Sequence, residues 1–124
     1  MNRRWTTAET GFTLVELIIV MMIIGVLVTL PVASYLHFTE RADRAVARSN
    51  VREIAPSIEA YYADRTTYLG LTVNALKMSY DQALDPARYT LNSLTANGYC
   101  VSSSVGNASW KKDGPGKDYE EGSC

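Results

Sequence analysis

One histidine and two cysteines are all the imidazole and thiol that the 124 residues offer for zinc or thiol chemistry. His37 stands alone at the end of an apolar run, with nothing at zinc-ligand spacing around it, and reads as an interfacial helix residue. A phosphate-binding loop and a dinucleotide fingerprint are both missing. These absences leave no catalytic constellation and no demand for a cofactor. Twelve basic residues stand against thirteen acidic ones, so nucleic-acid binding is not indicated by charge. Phe is scarce, two against eight Tyr, which suits a half-exposed surface more than a large dry core. The strongest absence is local: from Leu17 to Thr39 there is no Lys, Arg, Asp or Glu.

That charge-free run is membrane-sized. Phe12 to Leu30 would span about 28 Å as a helix, close to the hydrocarbon thickness of a bilayer. Apolar character continues past Pro31 through Val32, Ala33, Tyr35, Leu36 and Phe38. Arg3 and Arg4 in the short N-terminal flank keep that end in the cytoplasm by the positive-inside rule, although Arg41, Arg44, Arg48 and Arg52 follow on the far side. The run is too long for the core of an ordinary secretory signal, and no small-residue cleavage motif follows it. The small residue, Gly11, precedes it instead. Glu16 lies inside the start of the run, where a carboxylate is costly and calls for a partner.

Gly11-Phe12-Thr13-Leu14-Val15-Glu16 followed by about twenty apolar residues resembles the type III signal of type IV pilins and pseudopilins. The resemblance implies cleavage between Gly11 and Phe12 by a membrane prepilin peptidase, and N-methylation of the new Phe12 amine by the same enzyme. It implies that Glu16 meets an N-terminal ammonium during assembly, on its own chain or on a neighbour. A buried pair of that kind penalises a slipped register, because either charge would be stranded. It also implies a homo-oligomeric helical filament built on an inner-membrane assembly platform by a separate assembly ATPase. The subunit would be a single-pass inner-membrane protein first, then part of an extracellular pilus or a periplasmic pseudopilus. Gly25 and Pro31 are the helix-breaking residues, and either a local unwinding or a simple proline kink is open at that point.

Beyond Thr39 the pattern changes. Ala47, Val51, Ile54, Ile58 and Tyr61 recur at spacings of four and three, which predicts one apolar face of a helix over 40–63, with Pro56 expected to kink or break it. Residues 66–86 read as a connector with a short helical turn. Residues 88–94, 99–105 and 108–111 read as strands, separated by Ala96-Asn97-Gly98 and Gly106-Asn107 turns. Asp113-Gly114-Pro115-Gly116 is expected to end regular structure. The fold class is α+β and type IV pilin-like: a long N-terminal helical spine packed against an antiparallel sheet of about three strands. The organisation is a leader over 1–11, a transmembrane and assembly half-helix over 12–38, and a head over 39–124.

Cys100 and Cys124 both follow the apolar run. In an exported head they would meet oxidising conditions and are expected to pair, tying the tail to the second strand. A C-terminal disulfide loop of this kind is common in pilins. The tail carries Asp113, Asp118, Glu120 and Glu121 among glycines, and its Asp-Gly-Pro-Gly stretch is similar to the calcium loop of major pseudopilins, so Asp113 and Asp118 are calcium candidates beside the plainer reading of a solvated acidic loop. Three functions remain in view: a pilus subunit for adhesion, twitching motility or DNA uptake, a pseudopilin of type II secretion, and a plain membrane-anchored binding module.

Overall fold

The computed structural model describes residues 11–29 and 31–124. The leader and its Arg3 and Arg4, read from the sequence, lie outside the described residues apart from Gly11. The described residues fall into two compact units divided between Leu36 and His37.

In the first unit, helix α1 runs over Leu14–Thr29. Thr13 caps it: its hydroxyl accepts from the Glu16 N–H at 3.2 Å and its carbonyl accepts from the Leu17 N–H at 3.2 Å. These bonds satisfy donors that a helix N-terminus otherwise leaves orphaned. Helix α2 covers Pro31–Arg65. Gly25 lies inside α1, Pro31 is the first residue of α2, and Leu30 between them is outside the described residues.

The head is built on the second part of α2. The predicted stripe of Ala47, Val51, Ile54, Ile58 and Tyr61 is buried throughout. Pro56 lies inside α2 without ending it, so of the kink or break expected, the break does not occur. The proline sits on the exposed side, where water can take up the carbonyl that loses its intrahelical partner. The connector holds a short helix α3, Val73–Ser79, capped by the Thr72 hydroxyl, and a 3-10 turn over Pro86–Arg88 capped by Asp85.

The sheet has four antiparallel strands in chain order: β1 Thr90–Asn92, β2 Tyr99–Val105, β3 Ala108–Gly114 and β4 Tyr119–Glu121. This corrects the expected three. The first strand is shorter, because Arg88 belongs to the 3-10 turn. The third runs on to Gly114, and regular structure does not end there: β4 pairs back with Lys112↔Tyr119, Lys111↔Glu120 and Trp110↔Glu121. Gly106-Asn107 forms the tight turn between Val105 and Ala108, with Gly106 at φ +56°, a conformation that favours glycine.

Tyr99 and Val101 of β2 join Ile54, Ile58, Tyr68, Leu71, Leu76 and Leu84 in one core. Asn50 of α2 donates to the Ser103 hydroxyl at 3.0 Å inside this interface, a buried polar link between helix and sheet. Cys100 and Cys124 are bonded and close a loop of sequence separation 24. A loop of that length stabilises by about 3–4 kcal/mol in the chain-entropy account.

Candidate functional site

Two surfaces carry the functional chemistry, and each belongs to its own unit. The first is α1. None of its residues is buried, and its large apolar side chains are exposed on every side, from 48% at Val20 to 77% at Leu14. Phe12 ahead of it is 85% exposed. A helix that is apolar all round is stable only in a lipid or protein environment. By length and composition this helical stretch can cross a membrane.

Glu16 sits in the first turn of α1. There a carboxylate faces the positive end of the helix dipole, a favourable placement even before any other partner is found. Thr13 and Glu16 also stand at the spacing of a capping box. This local role was legible in the sequence as Thr-x-x-Glu but was not drawn from it. Among the described residues no cation lies within ion-pair distance of the Glu16 carboxylate. Gly11, Phe12 and Thr13 precede the helix without regular structure.

The second surface is the head. Its α2 carboxylates reach across to tyrosines of the connector and sheet. Glu59 accepts from the Tyr68 and Tyr99 hydroxyls, each at 3.1 Å. Glu53 accepts from Tyr89 at 3.1 Å and Asp64 from Tyr80 at 2.7 Å. On the tail side, α2 arginines take part. Arg44 pairs with Glu121 at 3.6 Å, Arg48 lies over the Trp110 ring and Arg52 over the Tyr119 ring. Stacking a guanidinium on a ring is favourable and keeps the cation's edge in water.

These contacts set a pH dependence. Burial, then the bond to Glu59, pushes the Tyr68 phenol up to about 12. Burial, then the Glu53 charge, does the same at Tyr89, up to about 12. Tyr99 is raised further, by burial and the Glu59 charge. A phenol raised on folding contributes stability that is complete below the unfolded value near 10 and is lost as pH climbs through the folded value. We expect the head's melting temperature to hold from pH 7 to 9 and to fall between pH 10 and 12. Allowing for solvent around the hydroxyls, each tyrosine contributes about 1 kcal/mol to the drop. Circular dichroism melts of the full chain in detergent, with phenolate absorbance recorded alongside, read this out. A flat profile to pH 12 would rule the linkage out.

In the tail, lysines lie beside Asp113 and Glu120. The Asp113 carboxylate lies 3.4 Å from the Lys111 ammonium and 3.9 Å from that of Lys117, and Lys111 also pairs with Glu120 at 3.1 Å. Among the described residues no group of three His, Cys, Asp or Glu side chains is placed to hold a metal. Lysine ammoniums therefore neutralise Asp113, and Asp118 stands exposed nearby. Cys100, being bonded, offers no thiol, and His37 is exposed on α2.

The described residues thus combine an exposed apolar helix behind a capped Phe-Thr-Leu-Val-Glu start with a small disulfide-tied sheet later in the chain. Residues 7–30 match the model of the prokaryotic N-terminal methylation motif. The chain is similar to the type IV major pilin protein PilA of Myxococcus xanthus, 28% identical over 52% of this chain and 30% of the pilin. It is similar to the type II secretion system core protein G of Pseudomonas aeruginosa, 32% identical over 55% of this chain and 46% of that protein. A third relative, the type IV wide pilus major component PilA4 of Thermus thermophilus, is 26% identical over 86% of this chain and 82% of its own length. The chain thus spans less than half of the first two relatives. The methylation motif and these similarities support a type IV pilin or pseudopilin family.

Proposed function

We propose that this protein is a structural, non-enzymatic subunit of a type IV pilus, cut between Gly11 and Phe12, methylated on Phe12 and polymerised through α1. The observation that carries the reading is α1 itself: exposed apolar side chains on every face, with Glu16 as its one charge. Such a surface is satisfied first by lipid and then by copies of itself. Prepilin peptidase, the assembly platform and the assembly ATPase are the partners this route requires. The subunit is anchored in the inner membrane before assembly and lies outside the cell after it. Support for a pilus comes from the Thermus pilus component, whose similarity runs over 86% of the chain and so includes the head.

A second reading, a pseudopilin of type II secretion, is supported by similarity to secretion core protein G from several bacteria, 32% identical in Pseudomonas aeruginosa and 35% in Escherichia coli. Mass spectrometry of the mature protein tests the shared step: we expect loss of Met1–Gly11 and one methyl on the Phe12 amine. An intact Met1 would exclude both readings. Negative-stain microscopy of a strain lacking the gene then separates them. Loss of surface fibres supports the pilus, and loss of secreted enzymes with fibres retained supports the pseudopilus.

A further inference from the structure

Along α2, Arg41, Arg44, Arg48 and Arg52 stand nearer the N-terminus, with Glu40 and Asp43 beside them, and Glu53, Glu59 and Asp64 follow, with Arg65 at the end. Two of these arginines and two of these acids form matched rows. Arg41 and Arg52 are eleven residues apart, and so are Glu53 and Asp64. Eleven residues advance a helix by about 16.5 Å and bring a side chain back to within about 20° of the same line. The arginine row and the acid row are therefore parallel, equally long, and about 100° apart around the helix. They flank its outward side, away from the buried Val51, Ile54 and Ile58.

All four side chains are exposed, and among the described residues none of them has an opposite charge within 4 Å. Three of the four, Arg52, Glu53 and Asp64, are nevertheless held in place. The Arg52 guanidinium rests on the Tyr119 ring, 5.4 Å from its centroid. Glu53 is fixed by the Tyr89 hydroxyl and Asp64 by the Tyr80 hydroxyl. Each carboxylate keeps lone pairs free for a bidentate arginine. Arg65, next to Asp64, is turned onto the Tyr61 ring, 5.0 Å away, and does not neutralise its neighbour.

We propose that the arginine row of one head docks on the acid row of a second copy lying parallel to it and displaced by twelve residues, about 18 Å, along the α2 axis. That single displacement sets Arg41 against Glu53 and Arg52 against Asp64 at once. Any shift of a few residues breaks both pairs together, so the contact specifies register. The two surfaces differ, so the interface is heterologous and leaves a free row on each end copy. Contacts of that kind propagate as open helical assemblies. The inference rests on the filament reading above and adds the partner surface and the stagger.

The test uses the full-length protein in its host, with sheared filaments quantified against cell-associated protein. Arg52→Asp and Asp64→Arg are each expected to lower filament yield by about tenfold, since each sets like charges face to face. Arg52→Asp combined with Asp64→Arg is expected to restore yield to within about twofold of wild type. A second measurement does not depend on yield. In Arg52→Cys/Asp64→Cys, the two positions are too far apart along one helix to bond within a chain. Oxidised filaments should therefore give a ladder of disulfide-linked multimers on a non-reducing gel. Wild-type yields from both single reversals, or no ladder from assembled filaments of the cysteine pair, would overturn the proposal while leaving the filament reading intact. A wild-type strain that makes no filaments overturns both.

Discussion

Glu16→Ala is expected to leave the protein in the membrane at normal abundance and to remove its filaments. The local consequences of the change are small. Thr13 still caps α1 through its hydroxyl, and the lost interaction with the helix dipole is worth about 0.3–1 kcal/mol. Insertion should improve slightly, because a carboxylate leaves the edge of an apolar segment. Assembly is another matter. Cleavage after Gly11 would create an ammonium on Phe12, and packing α1 among its copies would strip that cation of water. Stranding one member of a desolvated pair costs about 3–5 kcal/mol. That is roughly a hundredfold or more in the equilibrium for each added subunit. Glu16→Gln, which keeps the size and loses the charge, should fail in the same way. Membrane fractionation with immunoblotting reads insertion, and electron microscopy reads filaments. Normal filaments from Glu16→Gln would show that charge is not what Glu16 supplies.

Gly114→Ala should be the most damaging single methyl in the head. Gly114 faces Tyr99 across the β2–β3 ladder. A β-carbon there would fall inside contact distance of the Tyr99 ring, at Cε1 and Cζ. The ring cannot move aside freely. It packs against Tyr68 with centroids 4.8 Å apart, is 3% exposed, and its hydroxyl donates to Glu59 at 3.1 Å. Overpacking of this kind costs about 1–3 kcal/mol, and losing the Glu59 bond adds about 1–2 kcal/mol. For a domain of this size the two together lower the melting temperature by on the order of 15 °C. Pairing the change with Tyr99→Leu removes the ring that the methyl strikes. The double variant should then be little worse than Tyr99→Leu alone, and the non-additivity measures the clash. Additive losses would place the damage elsewhere.

Much of this was legible in the chain. The apolar run and its Glu16 defined α1, because a membrane-length segment is written in consecutive residues. The spacing of Val51, Ile54, Ile58 and Tyr61 disclosed the buried face of α2, because helical periodicity is local. The cysteines paired as expected. Strand β4 was missed. Tyr-Glu-Glu carries no alternating pattern, and it becomes a strand only because the disulfide, the Lys111–Glu120 pair and the Arg52–Tyr119 contact hold it against β3. Pro56 leaves α2 continuous, because on the exposed side water can take the freed carbonyl.

The sequence by itself determined that the chain has an apolar helix able to enter a membrane, an N-terminal methylation motif at its start, and a small α+β head. These follow from runs, motifs and periods within a few turns of chain. Only the tertiary structure decided which acids hold which tyrosines, that Tyr99 lies over Gly114, that lysines neutralise Asp113, and that Arg41, Arg52, Glu53 and Asp64 are exposed with no opposite charge within 4 Å among the described residues. Those facts depend on residues far apart in the chain meeting at particular angles. Composition and periodicity record which side chains are present and which face they occupy. Partnership between distant side chains exists only once the sheet has closed on α2.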